Sequence, residues 1–231
     1  VSVLHARAKI WSHEQIKAVH EANYHPYSPL AQFTMARYLY GAGIDGDSKA
    51  AELAEKVLVE NISLDRTTVA SEMLLILLSD QSHIDLQPTW IASAAQKIKK
   101  TGYSAINSRA ISGLLEYLQK DTSKLDPAQF EPVFAELEDH RHPQLLTFAA
   151  VFNTEILRHY DKGFSLFEKA AQISNNRPAF RLNLLRAQLK MRRFKGACES
   201  FEYLESLPQK KTLMIQKEMG QAREWLDGKC A

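Results

Sequence analysis

Cysteine, glycine and proline are all scarce in this sequence, and each scarcity excludes a class of structure. The 231 residues include 2 Cys, 9 Gly and 8 Pro. Two cysteines are too few for a disulfide framework or a Cys-rich zinc module, and so few turn-forming residues disfavour an all-β fold. No signal peptide is recognisable. The longest apolar run, residues 73–78, is too short to span a bilayer and suits a buried helix.

A large excess of one charge is also missing. The chain has 29 Lys and Arg against 27 Asp and Glu, a formal net charge of +2. A balance this close argues against a dedicated nucleic-acid-binding protein. With 45% apolar and 24% charged residues, the composition is that of an ordinary globular protein, which excludes collagen, low complexity and disorder.

Helical periodicity is present along almost the whole chain. Apolar residues recur at helical spacing, and clean alternation typical of strands is hard to find. Ser28-Pro29 and Asp126-Pro127 each place an N-cap residue before a proline, and Asp47 offers similar cap chemistry. Short connections predict that successive helices pair as antiparallel hairpins. The predicted helices lie near 11–23, 29–42, 47–60, 66–80, 88–100, 104–119, 127–139, 143–158, 161–174, 178–191, 194–206 and 209–227.

Two stretches of the sequence match each other at a spacing of 34 residues. In each copy an aromatic residue opens a helix, a small residue follows three positions later, and a phenylalanine follows four positions after that. These repeat positions are Tyr160, Gly163 and Phe167 in one copy and Phe194, Ala197 and Phe201 in the next.

This pattern resembles the tetratricopeptide repeat, a helix–turn–helix unit that needs a small residue where its two helices cross. Gly163 and Ala197 fit that position. The repeats are divergent, because Leu204 replaces a second small residue and Val151 and Leu185 replace the usual small residue of the first helix. The resemblance implies an all-α fold, a right-handed α-α solenoid of divergent helix hairpins. A compact helical bundle is the alternative.

The resemblance also predicts how the chain is organised. An opening half-repeat helix would cover residues 1–28, helical repeats would cover 29–206, and a C-terminal capping helix would cover 209–231. The repeat pattern is clearest at 29–61, 143–176 and 177–208. In the first of these, residues 41–46 form a predicted loop that is about a residue longer than the pattern allows.

The beginning of the chain predicts a larger parent protein. It starts at Val1 without an initiator Met, inside what reads as the second half of a repeat. Arg7, Trp11, Pro26 and Ser28 resemble the junction at which some bacterial polytopic membrane proteins leave their last membrane helix and begin a soluble repeat domain. The resemblance implies a membrane-anchored parent with this region on the periplasmic face of the inner membrane. A cytoplasmic location is the alternative.

A run of cations without an intervening acid marks the candidate binding surface. Eight Lys and Arg residues lie between Glu168 and Glu199, and Arg186, Lys190 and Arg193 form one helical stripe. In the tetratricopeptide family the first helix of each repeat lines a concave groove. By the 34-residue spacing, Arg186 and Lys190 face that groove, and their counterparts one repeat earlier are the apolar residues Phe152 and Ile156. The predicted apolar partner-binding residues are Phe148 and Phe152.

Such a groove would suit a peptide with acidic and apolar residues. A solvated basic face without a ligand is the alternative. The Lys/Asn/Arg set with which chaperone-binding members hold a peptide carboxylate is not reproduced.

No catalytic, cofactor or metal site is predicted. The sequence lacks Gly-x-Ser-x-Gly, a phosphate-binding glycine loop and GxGxxG. His13 and His20 are too far apart for a zincin motif, and His140 and His142 have no further ligands nearby. Cys198 is predicted to be a small core residue and Cys230 to be exposed, and their separation disfavours a disulfide between them.

The sequence therefore predicts a protein–protein interaction module that binds a protein or peptide partner, not nucleic acid, and that is not itself an enzyme. The resemblance offers an alternative: an accessory domain of a membrane glycosyltransferase or of a glycan polymerase or ligase, presenting the acceptor. An all-α enzyme and a scaffold that only oligomerises are the competing classes.

Overall fold

The computed structural model describes residues 13–207 and 213–230, and this part of the chain is helical without a β-strand. A 3₁₀ turn, Pro127–Phe130, leads into the seventh helix, and a π-helical turn, Phe152–Ile156, continues the eighth. The α-helices are α1 (Glu14–Tyr24), α2 (Pro29–Ile44), α3 (Ser48–Leu64), α4 (Ala70–Gln81), α5 (Pro88–Thr101), α6 (Ala105–Leu118), α7 (Glu131–Glu138), α8 (Pro143–Val151), α9 (Tyr160–Ile173), α10 (Pro178–Lys190), α11 (Phe194–Ser206) and α12 (Leu213–Leu226).

The predicted all-α class is confirmed, and the N-caps lie where the sequence places them. Ser28 Oγ accepts from the Ala31 backbone N–H, and Asp47 Oδ1 accepts from that of Ala50. Asp126 caps the 3₁₀ turn in the same way. These side chains satisfy N–H groups that the first turn of a helix leaves without a backbone partner. Trp11, Arg7 and the start of the helix predicted over 209–227 lie outside the described residues.

Two predicted boundaries are corrected by the structure. The helix predicted over 127–139 begins as a 3₁₀ turn over Pro127–Phe130 and becomes α-helical only at Glu131. Pro132 lies in the first turn of that α-helix, where no backbone donor is needed. The loop predicted over 41–46 is shorter, because α2 continues to Ile44. A Cβ added to Gly43 would lie 2.9 Å from Ala51 Cα, so glycine allows α3 to pack this closely against α2.

The chain divides into two compact units, Val1–Val133 and Phe134–Ala231. In the first, each of α1 to α4 contacts the next helix in the chain. In addition, α2 contacts α4, and α4 contacts α6. Its core includes Ala36, Leu58, Leu75, Ile76 and Ile111, all with no exposed side-chain surface. In this unit, α2 and α4 therefore each pack against both the next helix and the next but one.

An ion pair is buried inside the first unit. Glu72 is fully buried, and its Oε1 lies 2.7 Å from Lys97 Nζ. Ser93 Oγ donates to the same carboxylate oxygen, and Lys97 Nζ also donates to the Thr68 carbonyl. This pair joins α4 to α5 at a position where a lone charge would be costly.

The second unit contains the two matching repeats. Here α8 contacts α9 and α10, α10 contacts α11 and α12, and α11 contacts α12. Of the repeat positions, Gly163 and Ala197 are buried where their helices cross, and Phe167 and Phe201 are buried beside them. The two aromatic residues that open the helices differ, because Tyr160 is 41% exposed whereas Phe194 packs against the core.

The repeat spacing is not uniform in this unit. The first helix of each repeat is followed by an arginine with positive φ. These residues, Arg158 and Arg192, lie 34 residues apart. Pro143 and Pro178, which begin those helices, lie 35 residues apart. The π-helical turn Phe152–Ile156 accounts for the difference, because a π-bulge adds one residue to a helical turn.

Candidate partner-binding groove

A groove between α10 and α12 is the candidate functional site of the second unit. Its cavity has a volume of about 220 Å³. One wall comes from α10 and the other from α12. The helix α12 can form a wall because Ile215, Met219, Ala222 and Leu226 recur at helical spacing and are buried on one face.

The floor of the groove is apolar. Leu182 and Leu185 of α10 are each 1% exposed and belong to the core, while Leu189 is only partly buried. Ala222 lines the groove from α12, and Trp225 beside it is 58% exposed. An exposed indole next to leucine side chains is a common feature of protein–protein contact sites.

A charge pair spans the groove. Arg186 on α10 donates from Nε to Glu218 Oε2 at 3.0 Å, and its Nη2 lies 2.9 Å from Glu218 Oε1. The hydrogen bond from the guanidinium holds the pKa of the Glu218 carboxyl below its ordinary value. This bidentate geometry places a negative charge of α12 directly against the predicted basic stripe.

The other two residues of the stripe also meet acids from neighbouring helical segments. Lys190 forms an ion pair with Glu155 in the π-helical turn. Arg193 lies 2.9 Å from Asp161 Oδ1, and its guanidinium also lies 3.9 Å from the centre of the Phe164 ring. The stripe is therefore not the unpaired basic surface that the acid-free run of sequence indicates.

A surplus of positive charge remains in the second unit. Residues 134–231 contain more Lys and Arg than Asp and Glu, whereas residues 1–133 contain fewer. Among the described residues, Arg177, Arg192 and Lys195 have no acid within ion-pair distance, and all three are exposed. A partner that approaches this unit therefore meets net positive charge.

Phe148 and Phe152 belong to the core, which corrects the expectation that they face the groove. Phe148 is 8% exposed and Phe152 is 1% exposed. The Phe152 ring stacks on Phe134, with centroids 3.9 Å apart. Because the π-helical turn adds one residue, the counterpart of Arg186 before that turn is Val151, and Phe152 is rotated inward.

The two cysteines form a disulfide, which corrects the expectation that they stay apart. Cys198 on α11 and Cys230 beyond α12 have Cα atoms 5.7 Å apart. Cys198 is buried, as predicted, and Cys230 is exposed. Their 32-residue separation gave no sign of this contact, because it depends on how α12 packs back onto α11.

The remaining predicted features do not converge on a chemical site. Across residues 13–207 and 213–230 there is no group of three or more His, Cys, Asp or Glu arranged to hold a metal ion. Burial lowers the pKa of His142. Within the same ranges, no helix has the length together with the hydropathy that a bilayer-spanning segment needs.

Comparison with protein-family models, with curated proteins and with solved structures finds no match to this chain. Its groove therefore has to be interpreted from its own residues. Of the predicted partner-binding residues, Arg186 and Lys190 line this groove, whereas Phe148, Phe152 and Arg193 do not. Sequence reasoning missed Glu218 and Trp225, although the apolar spacing of α12 was a usable signal for a helix that packs against α10.

Proposed function

We propose that this chain is a protein–protein interaction module, not an enzyme, and that it binds an acidic, amphipathic segment of a partner protein between α10 and α12. The proposed architecture is a right-handed solenoid of divergent tetratricopeptide-like hairpins. In that arrangement α8, α10 and α12 are the helices that line the concave surface. The observation that carries the proposal is the groove itself, with a leucine floor beside an exposed Trp225 and a rim of paired charges.

The charged rim favours a partner that carries acids. Arg186 and Lys190 retain 45% and 49% of their side-chain exposure, and Glu218 and Glu155 retain 28% and 35%. Ion pairs this exposed contribute at most about 1 kcal/mol each. A partner carboxylate can therefore replace Glu218 or Glu155 at little cost, while its apolar side chains enter the groove over Leu189.

The proposed location is the periplasmic face of a bacterial inner membrane, as part of a larger membrane-anchored protein. The Cys198–Cys230 disulfide supports this location. Disulfides form and persist in oxidising compartments such as the periplasm and are rare in the cytosol.

A peptide-display selection tests the binding proposal without a guess about the partner. Random peptides displayed on phage are selected against the immobilised, oxidised protein, and the enriched peptides are synthesised. We expect them to combine acidic with apolar residues. Leu189→Glu, which places a charge on the groove floor, is expected to abolish binding, and Arg186→Gln to weaken it about three- to tenfold.

Lys195→Gln is the matched control for Arg186→Gln. It also removes one positive charge from an exposed side chain of the second unit, but Lys195 does not line the groove. If the enriched peptides carry no excess of acids, or if Arg186→Gln and Lys195→Gln weaken binding equally, the α10–α12 groove is not an acidic-peptide site.

A further inference from the structure

The disulfide closes a loop that contains α12, the helix that forms one wall of the groove. Cys198 lies in the second turn of α11, and Cys230 follows the C-terminus of α12. The whole of α12 lies inside the 32-residue loop that the disulfide closes. This helix is therefore attached to α11 twice, through the peptide chain before Leu213 and through the disulfide after Leu226.

A glycine directs the chain back toward α11. Gly228 has a φ of 69°, in the left-handed region that favours glycine, and the Lys229 N–H donates to the Leu226 carbonyl. This turn brings Cys230 to Cys198. A helix end that is turned back in this way places its last residues against the neighbouring helix instead of in solvent.

Ala222 and Leu226 at this end of α12 are buried in the core, whereas its polar contacts are weak. Arg223 forms an ion pair with Glu205, and its side chain is 74% exposed. Lys229 Nζ lies 4.7 Å from the centre of the Phe194 ring. Exposed ion pairs and cation–π contacts contribute little to the free energy of folding. An isolated helix of 14 residues is only marginally stable in water.

We propose that the Cys198–Cys230 disulfide is a redox latch that holds α12 in place as the wall of the peptide groove. The groove is complete when the disulfide is formed, and it loses Glu218 and Trp225 when the disulfide is reduced. This regulation rests on the proposed function of the α10–α12 groove.

The redox step needs a dithiol reductant. Cys230 is the exposed residue of the pair. A thiolate of the reductant attacks its sulfur, breaks the bond between the two cysteine sulfurs and forms a mixed disulfide. The second thiol of the reductant then resolves that mixed disulfide. Two electrons and two protons pass to Cys198 and Cys230, which become thiols, and the reductant leaves as a disulfide.

Hydrogen exchange of α12 tests the latch independently of peptide binding. We expect amides of residues 213–226 to exchange at least about tenfold faster after reduction than in the oxidised protein, while those of α8 and α9 are unchanged. Cys230→Ser should show the fast exchange without reductant, and adding reductant to this variant should change nothing further. Exchange of α12 that stays within about twofold on reduction overturns the latch.

Peptide binding by the same samples separates the latch from the proposed function. The peptide selected on the oxidised protein is expected to lose at least about tenfold in affinity on reduction and in Cys230→Ser. If α12 becomes fast-exchanging and the peptide still binds unchanged, α12 is not part of the peptide site and the proposed function fails. If α12 stays protected while Leu189→Glu abolishes binding, the function stands and the latch is overturned.

Discussion

A Cβ atom built on Gly163 would lie 2.3 Å from Cγ2 of Thr154 and 2.9 Å from the carbonyl oxygen of Ala150. The first and second helices of this repeat therefore cross at a distance that only glycine permits. The backbone carbonyl cannot move without disturbing the helix that carries it, so even a methyl group at this position forces the helices apart.

Replacing Gly163 by alanine should lower the free energy of unfolding by about 1–3 kcal/mol, because the crossing would be overpacked. Urea denaturation measures the change. Gly220→Ala is the control, since Gly220 lies in the exposed part of α12 with nothing within 4 Å of a built Cβ. That variant should gain about 0.5–1 kcal/mol from helix propensity. Equal shifts of both variants would show that the crossing is not tight.

Breaking the buried Glu72–Lys97 pair should be costly. Lys97→Met leaves a fully buried carboxylate without its cation, which costs about 3–5 kcal/mol. Combining Glu72→Met with Lys97→Met removes both charges and should restore most of that loss. Thermal unfolding of the two variants measures the difference. A double variant as unstable as the single one would rule out an unpaired charge as the cause.

Glu218→Gln should destabilise the protein at neutral pH and not in acid. The folded-state pKa of Glu218 lies below its ordinary value of 4.5, because Arg186 donates to the carboxylate. A lowered pKa gives stability that is present above the unfolded pKa and is lost as the pH falls through the folded one. We expect a difference from the wild type of less than about 1 kcal/mol at about pH 7, which vanishes as the pH falls through the folded-state pKa of Glu218.

Glu224→Gln is the control for this pH series. Glu224 is another exposed glutamate of α12. Its substitution should have little effect at either pH. If Glu218→Gln is as destabilising in acid as at neutral pH, its effect does not come from the charge of the carboxylate.

Opening the disulfide should lower the free energy of unfolding by more than the loss of any single exposed ion pair would. A closed loop of 32 residues is worth about 3–4 kcal/mol through the entropy of the unfolded chain. Cys198→Ala with Cys230→Ala should show this loss in thermal unfolding, and a reductant should not destabilise that variant further. Thiol titration of the unfolded wild type should find no free thiol before reduction. Detection of two thiols in the oxidised protein would contradict the pairing.

Arg192→Gly should stabilise the protein. Arg192 has a φ of 56°, a left-handed conformation that costs a non-glycine residue about 1–2 kcal/mol. Its side chain is exposed. Glu199→Gly is the opposite case, because it introduces glycine into the exposed face of α11 and should cost about 1 kcal/mol. Denaturant midpoints that fall for both variants would show that the turn at Arg192 is not strained.

Local pattern was sufficient to predict the helices and their caps, because these features depend on residues a few positions apart, whose spacing is visible in the chain. The close crossing at Gly163 was predicted from the resemblance to the tetratricopeptide repeat. The sequence places Arg186 and Lys190 on one face of α10, because helical spacing fixes their relative direction, and both line the groove between α10 and α12. Phe152 was predicted to be the counterpart of Arg186 in the preceding repeat. The structure turns this ring inward, because the π-helical turn adds a residue that the sequence spacing does not reveal.

The sequence by itself determined an all-helical chain with two matching hairpins near its C-terminus and a balance of charge over the whole protein. Only the tertiary structure decided which charges meet, since Arg186 and Glu218 lie 32 residues apart and are joined by the packing of α12 against α10. The same packing decided that Cys198 and Cys230 form a disulfide. Helical periodicity is a property of neighbouring residues, whereas these pairings depend on where the chain returns after a turn.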